Sequence, residues 1–243
     1  MTPHLTWTEI KLLAREPLTL LMSLLFPVVL MVLLAGSFGN EADVDFGGVG
    51  GVDFYVPIYA AATVVAMGFL GLPVHLAGYR ENGVLRRYRS AGIPSSSVLV
   101  AFGVVTAVVA VVGTAVMLGI GFGFYDLSRP ESPPGVAAGV AVGTAAFVAM
   151  GAFLGSLLPT SRAAQGLGFT LFFGLFFIAG GGPPPAILPD AINTFIGYTP
   201  MGPLVDAYTT PWHVGGVDGG ALVALAAVAV VAGVLAVMRL SRD

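Results

Sequence analysis

Six long runs of apolar residues, separated by short polar stretches, organise the chain. They cover residues 18–38, 55–77, 98–124, 135–158, 164–181 and 219–238. Each comes close to or exceeds the roughly 20 residues that a helix needs to cross the hydrocarbon core of a bilayer. The pattern predicts an all-α membrane protein with six transmembrane helices. It divides the chain into an N-terminal segment, 1–17, and one six-helix membrane domain, 18–243.

The polar positions orient this arrangement. With both termini cytoplasmic, Lys11, Arg15, Arg80, Arg86, Arg87, Arg89, Arg162, Arg239 and Arg242 fall inside, and Arg129 alone falls outside. Nine of the ten basic residues then obey the positive-inside rule, whereas the reverse orientation leaves one inside. Composition agrees: the chain is 56% hydrophobic and 9% charged with a mean hydropathy of +0.92, against about 25% charged residues in soluble domains. The dominance of Ala, Gly and Val suggests a GC-rich bacterial genome and hence a bacterial plasma membrane. The start, Met1-Thr2-Pro3-His4, lacks the features of a cleaved signal peptide, so the first run is expected to be retained.

Residues 5–16 put Trp7, Ile10, Leu13 and Ala14 on one helical face and Thr8, Lys11 and Arg15 on the other, with Leu5 and Leu12 breaking the pattern. An amphipathic helix lying on the inner membrane surface is the reading. The loop 39–53 carries Glu41, Asp43, Asp45 and Asp53 among glycines. It lacks the spacing of a calcium-binding EF-hand loop and reads as a solvated acidic loop. In the fourth run Gly135, Gly139, Gly143, Gly151 and Gly155 recur at multiples of four, with Phe147 at the missing step, which predicts close approach of a neighbouring helix. Residues 183–212 hold seven of the 17 prolines interspersed with Ile187, Leu188, Ile192, Phe195, Ile196, Met201, Leu204, Tyr208 and Trp212. Short helices dipping into the outer leaflet are expected there.

Several chemistries are disfavoured. The absence of cysteine removes thiol catalysis and thiolate metal sites. No Asp, Glu, Lys or Arg lies within the six runs, so the charge carrier that ion-coupled transport generally keeps at membrane depth is missing. His75 is the sole imidazole there and has no second His to form a catalytic pair; it reads as an interface residue. No Gly-x-x-x-x-Gly-Lys-Ser/Thr run occurs, so any nucleotide chemistry of the P-loop kind belongs to another subunit. Nothing in the pattern calls for nucleic acid.

The segment Arg80-Glu81-Asn82-Gly83-Val84-Leu85-Arg86-Arg87-Tyr88-Arg89-Ser90-Ala91, wound as one helix, gathers Val84, Leu85, Tyr88 and Ala91 on a face with Glu81 at its centre. Asn82, Arg86 and Arg89 point the other way, and Gly92 and Pro94 end the helix. Two readings stand: a surface helix snorkelling its arginines toward membrane lipids, or a docking helix for a cytoplasmic partner.

A set of short motifs in a fixed order carries a resemblance. Arg15-Glu16-Pro17 precedes a run with Phe26-Pro27. Then follow Arg80-Glu81-x-Gly83-x-Leu85-x-Arg87, the turn Pro159-Thr160-Ser161-Arg162-Ala163, Pro183-Pro184, Leu188-Pro189 and Tyr198-Thr199-Pro200. The chain resembles, over almost its whole length, the second (type-two) exporter class of ATP-binding-cassette permeases. Within that class it is similar to the bacterial daunorubicin/multidrug-resistance membrane subunit.

The resemblance implies a permease without covalent chemistry of its own, exporting a hydrophobic or amphipathic compound such as a drug-like molecule. It would pair with a second permease copy or homologue and with cytoplasmic ATP-binding-cassette ATPase subunits, which would hold ATP and magnesium. It also implies that the loop after the second span is the coupling helix, with Arg80, Glu81, Val84, Leu85, Arg87 and Tyr88 contacting the ATPase. The path would run at the dimer axis, lined partly by the second and fifth spans. In the fifth, Phe169, Phe172, Phe173, Phe176 and Phe177 form one helical stripe, open to three uses: stacking flat substrates, lipid contact or ordinary packing. Export of lipid or polysaccharide, or a membrane anchor without a substrate, are the rival functions.

Overall fold

The computed structural model describes residues 6–7, 9–11, 17–92 and 95–240. Six helices are long and apolar enough to cross a membrane: Leu21–Phe38, Gly51–Glu81, Ser97–Phe124, Pro133–Leu157, Ser161–Gly181 and Gly219–Leu240. In hydrocarbon a chain must satisfy its backbone groups internally, and a helix does so within one segment. That is why apolar length alone locates these elements, and the protein is an all-α, multi-pass membrane protein.

The second span is the axis of the bundle, with 94% of its apolar window buried against 18–44% for the other five. It is also longer than the apolar run suggests. The helix begins at Gly51 and ends at Glu81, so Asp53, Arg80 and Glu81 belong to it rather than to loops. Each finds a polar partner across the bundle. At the first end the Asp53 carboxylate accepts a hydrogen bond from the Ser128 N–H at 2.8 Å, and Asn40 bridges the Asp53 N–H and the Asp126 carbonyl.

The two ends of the bundle differ in charge. Arg80, Arg86, Arg87, Arg162 and Arg239 cluster at one, whereas Asp45, Asp53, Asp126, Glu131, Asp190 and Asp218 lie at the other. The acidic loop folds into a small hairpin, Ala42–Asp43 pairing antiparallel with Val49–Gly50. Between them the turn Val44–Phe46 is capped by the Asp43 side chain, which accepts from the Asp45 N–H at 3.0 Å. Phe46, 6% exposed, plugs this hairpin onto Phe38 and Tyr55.

The fourth-span glycines are packing positions, and they serve two neighbours rather than one. A Cβ at Gly135 would strike Pro211 and Gly216, one at Gly139 would strike Ala207, and one at Gly143 would strike Leu204. Gly151 and Gly155 instead receive the second span at Gly68 and at Pro73 and Leu76. Phe147, the missing step in the ridge, fills the space beside Gly68 and stacks edge-on against Phe69 at 5.4 Å. The second span forms a π turn here, Met67–Gly71, gripped from the other side by Gly168 of the fifth span against the Phe69 carbonyl.

The proline-rich stretch is helical in pieces: a 3-10 turn Pro185–Ile187, then helices Asp190–Gly197 and Met201–His213. The last runs antiparallel to the start of the fourth span, Pro211 beside Gly135 and Leu204 beside Gly143. Its first turn therefore lies about eight residues, or about 12 Å, below the fourth span's beginning. The kink that starts this stretch sits at Gly180, whose φ of +91° suits glycine. It is tied to the axis by Tyr59 and Tyr55, whose hydroxyls donate to the carbonyls of Gly181 (3.1 Å) and Gly182 (2.9 Å).

Of the N-terminal amphipathic segment, Thr6, Trp7, Glu9, Ile10 and Lys11 are helical. Leu5, Thr8, Leu12, Leu13, Ala14, Arg15 and Glu16 lie outside the described residues, as do Ile93, Pro94 and Arg242. Ile10 packs toward Met67, Val105 and Val109, whereas Trp7 is 57% exposed with the Lys11 ammonium 5.2 Å from its ring centroid. The inward position is taken by Glu9, 3% exposed, whose two carboxylate oxygens accept from the Tyr79 hydroxyl at 3.0 and 3.1 Å. A carboxylate can be buried because a phenol meets it.

Candidate functional site: the junction at the basic end

The segment 80–91 does not wind as one helix. The second span ends at Glu81, and Asn82 closes it by donating to the Gly78 carbonyl at 2.8 Å. Gly83 then turns with a φ of +69°, and a separate helix, Val84–Ser90, follows until Gly92 with a φ of +75°. Glu81 is therefore not at the centre of an apolar face of the short helix.

Arg80 and Glu81 instead clamp the turn between the fourth and fifth spans. Arg80 Nη1 donates toward the carbonyls of Gly155 (3.3 Å), Ser156 (2.6 Å) and Leu158 (3.3 Å). These carbonyls end the fourth span, where the helix lacks internal donors and carries a negative dipole end. The Glu81 carboxylate accepts from the Ser161 N–H at 3.0 Å and its hydroxyl at 3.3 Å, which is the opposite case, an anion at the start of the fifth span. Thr160 caps the same start by accepting from the Ala163 N–H at 3.2 Å. Adjacent residues of opposite charge thus hold two adjacent helix ends of opposite polarity.

The Val84–Ser90 helix lies against the bundle. Leu85 is 4% exposed and joins a small apolar core with Leu72, Leu76, Phe102, Ala152 and Leu240. Tyr88 packs on this core, its ring edge-on to Tyr79 at 6.3 Å. Burial first, and then the negative charge of Glu9, push the Tyr88 phenol above its ordinary pKa, so it stays neutral at physiological pH. Val84 is half-buried, while Arg86, Arg87 and Ser90 are exposed. The helix therefore presents two arginines outward and anchors itself inward through Leu85.

Two residues that the sequence reading passed over complete the junction, Glu9 and Tyr79. Tyr79 touches the N-terminal segment through Glu9, the short helix through Tyr88, and His75 ring to ring at 6.4 Å. The signal in sequence was slight: one acid in an apolar-faced helix. His75 itself is buried at 7% exposure beside the Phe102 ring, 5.1 Å away, an interface position.

The phenylalanine stripe of the fifth span meets the first span. Phe26 lies edge-on to Phe172, Phe173 and Phe176 with centroids 6.0, 5.3 and 5.8 Å away. Phe172 and Phe176 are fully buried, Phe169 and Phe173 half-buried, and Phe177 43% exposed. The face flanking the stripe, on the side of Phe177, is open and small: Gly166, Thr170 and Gly174 are exposed, and nothing lies within 4 Å of a Cβ built on either glycine.

A comparison with curated proteins finds no match to this chain. The family description "ABC-2 type transporter" matches residues 2–210, a stretch that contains five of the six spans, the junction and nearly all of the proline-rich helices. The chain belongs to the ABC-2 type transporter family, as a membrane permease component of an ATP-binding-cassette transporter.

Proposed function

We propose that this permease is the membrane half of an exporter that moves a hydrophobic or amphipathic compound out of the cell, powered by ATP hydrolysis in a separate cytoplasmic subunit. The basic end is then cytoplasmic, in keeping with the positive-inside rule. The ATPase docks on the Val84–Ser90 helix. The observation that carries this reading is the junction itself: a short helix with Arg86 and Arg87 outward and Leu85 inward, joined through Gly83 to a span whose last two residues grip two others. A push on the short helix reaches the second, fourth and sixth spans through Leu85, and the clamp ties the fifth to them.

A second permease copy or homologue approaches along the Gly166-Thr170-Gly174 face, where small residues permit close helix contact. Phe177, and the half-buried Phe169 and Phe173, supply aromatic wall to the path, while Phe172 and Phe176 support it from behind. ATP and magnesium belong to the partner, and this chain contributes binding and movement only.

The test is reconstitution of the permease with its ATPase in one lipid mixture. Arg86→Ala/Arg87→Ala is expected to lower ATPase co-purification. Leu85→Ala is expected to leave much of the association but weaken substrate-stimulated hydrolysis, because the docked helix loses its grip on the bundle. Wild-type association and stimulation in both sets would refute the docking assignment.

A further inference from the structure

The proline-rich stretch enters the bundle from the acidic end, where Pro185–Ile187 lies against the Val44–Phe46 turn of the small hairpin. The helix Asp190–Gly197 leads inward, and Met201–His213 leads back out along the fourth span. The tip between them, Tyr198-Thr199-Pro200, is deep. Leu204, beside Gly143, already lies about 12 Å below the fourth span's beginning at Gly135. Pro200 is one turn deeper and borders the same hollow as Met150 and Val231. Met150 stands seventeen residues beyond Pro133, about 25 Å along the helix. The tip therefore lies near the middle of a hydrocarbon core roughly 30 Å thick.

The surface exposed on the way down is polar. Ile192 and Ile196 of the inward-leading helix are half-buried, whereas Asp190, Asn193, Thr194 and Gly197 share the opposite face and are all exposed. Tyr198 continues this strip at 86% exposure. Asn193 satisfies itself locally, its amide donating to the Pro185 carbonyl at 2.9 Å. The tip does not. Among the described residues, no hydrogen bond reaches the carbonyls of Gly197 and Tyr198 or the Tyr198 hydroxyl. Pro200 has no N–H to give to Gly197 three residues earlier.

Lipid does not suit such a surface. Hydrocarbon offers no hydrogen bonds, and irregular backbone at membrane depth is tolerated only where protein buries it or water reaches it. This chain leaves Gly197 and Tyr198 exposed. A second copy would bring few donors to them, because away from their basic ends the six spans contain no Lys, Arg, Asn or Gln. Water remains as the partner.

We propose that the polar face of this hairpin is a wall of the water-filled export path, with Tyr198 at its deepest point, where it touches the passing compound. The assignment rests on the reading of this chain as an exporter and adds a specificity-determining residue to it. The wall is an acceptor surface beside aromatic rings: two open carbonyls, the Tyr198 phenol, and Phe195, 56% exposed, three residues earlier. It fits an amphipathic compound whose polar group donates hydrogen bonds, a hydroxyl or an ammonium, and it offers a carboxylate nothing but the phenol.

The chain has no cysteine, so single cysteines report water directly: a charged methanethiosulfonate reacts with a thiolate, which forms in water and not in hydrocarbon. Tyr198→Cys and Gly197→Cys probe the tip. The first replaces an exposed side chain and the second adds a Cβ with nothing within 4 Å, so neither disturbs packing. Val230→Cys, at 65% exposure on the sixth span and about 16 Å from its start, is the lipid-facing comparison. The full chain is reconstituted in phosphatidylcholine nanodiscs, with and without its ATPase. A trimethylammonium reagent is expected to modify both tip variants at least about tenfold faster than Val230→Cys. Its advantage over the anionic sulfonate reagent should exceed that seen with free cysteine in solution. Modification as slow at the tip as at position 230 puts lipid there and overturns the proposal. So does slow modification with disulfide cross-linking of Tyr198→Cys between two copies, which assigns the face to a second permease. A reagent ratio equal to that of free cysteine overturns the acceptor wall. None of these readings involves the Val84–Ser90 helix, so failure of the docking assignment leaves them unchanged.

Discussion

The contact between the second and fourth spans allows a sharp test, Gly68→Ala. Glycine inside a helix ordinarily costs about 0.5–1 kcal/mol relative to alanine, so the substitution should stabilise wherever there is room. At Gly68 there is none: the new Cβ would lie 2.8 Å from Phe147 Cβ and 2.9 Å from the Phe147 carbonyl oxygen. Carbon contacts are optimal near 3.5–4.0 Å, so the helices must part by roughly 0.7 Å or more. Neither contact atom can swing away, since one is backbone and the other is fixed to it. Overpacking of this kind costs about 1–3 kcal/mol, which outweighs the intrinsic gain and leaves a net loss of about 1–2 kcal/mol. For a chain of this length that lowers Tm by about 2–8 °C. Gly119→Ala, at an exposed third-span position with nothing within 4 Å, should raise Tm or leave it unchanged. Thermal unfolding of both variants in the same nanodiscs measures the difference, and an equal upward shift in the two would refute the close-packing argument.

The clamp and the topology give two further tests. Arg80→Met, similar in length but uncharged, should destabilise the protein by about 1.5–3 kcal/mol, the range for hydrogen bonds from a charged donor. Arg80→Lys should retain most of that, because a single nitrogen, Nη1, makes all three carbonyl contacts; equal losses in thermal unfolding would contradict the geometry. In this cysteine-free chain, single cysteines at Asp45, Glu131 and Asp190 should label with an impermeant thiol reagent in intact cells. A cysteine at Arg86 should not, and labelling there would reverse the proposed orientation.

What could be read from the sequence was whatever depends on local composition. Six spans follow from apolar length, and the fourth-span glycine ridge follows from its spacing of four. The helix ends were harder, because they depend on distant partners. Asp53 enters the second span by meeting Ser128, and Arg80 and Glu81 extend it by meeting the ends of two other helices; nothing adjacent in sequence announces these pairs. The break at Gly83 did have a local signal, since Asn-Gly is a turn dipeptide, but an amphipathic face drawn across it from Arg80 to Ala91 hid it. The phenylalanine stripe was legible as a stripe, while its partner, Phe26, lies about 146 positions away in sequence and meets it through tertiary packing alone.

The position of the break matters for how force would pass through the proposed docking helix. If 80–91 were one continuous rod, a partner could lever the second span directly. With a glycine joint at Gly83, torque is lost at the joint, and transmission must go through side-chain contacts instead. Two such routes exist. Leu85 presses on the small core that includes Leu72, Leu76, Ala152 and Leu240, which reaches the second, fourth and sixth spans. Tyr88 leans on Tyr79, whose hydroxyl holds Glu9 of the N-terminal segment. Beyond the joint, Arg80 and Glu81 keep the second span fastened to the turn between the fourth and fifth, so these three ends move as one body. Farther along, the second span forms its π turn, Met67–Gly71, a kind of irregularity frequent at functional sites. Gly151 of the fourth span and Gly168 of the fifth both pack against carbonyls of that turn, so the irregular turn is where the second span meets both neighbours most closely.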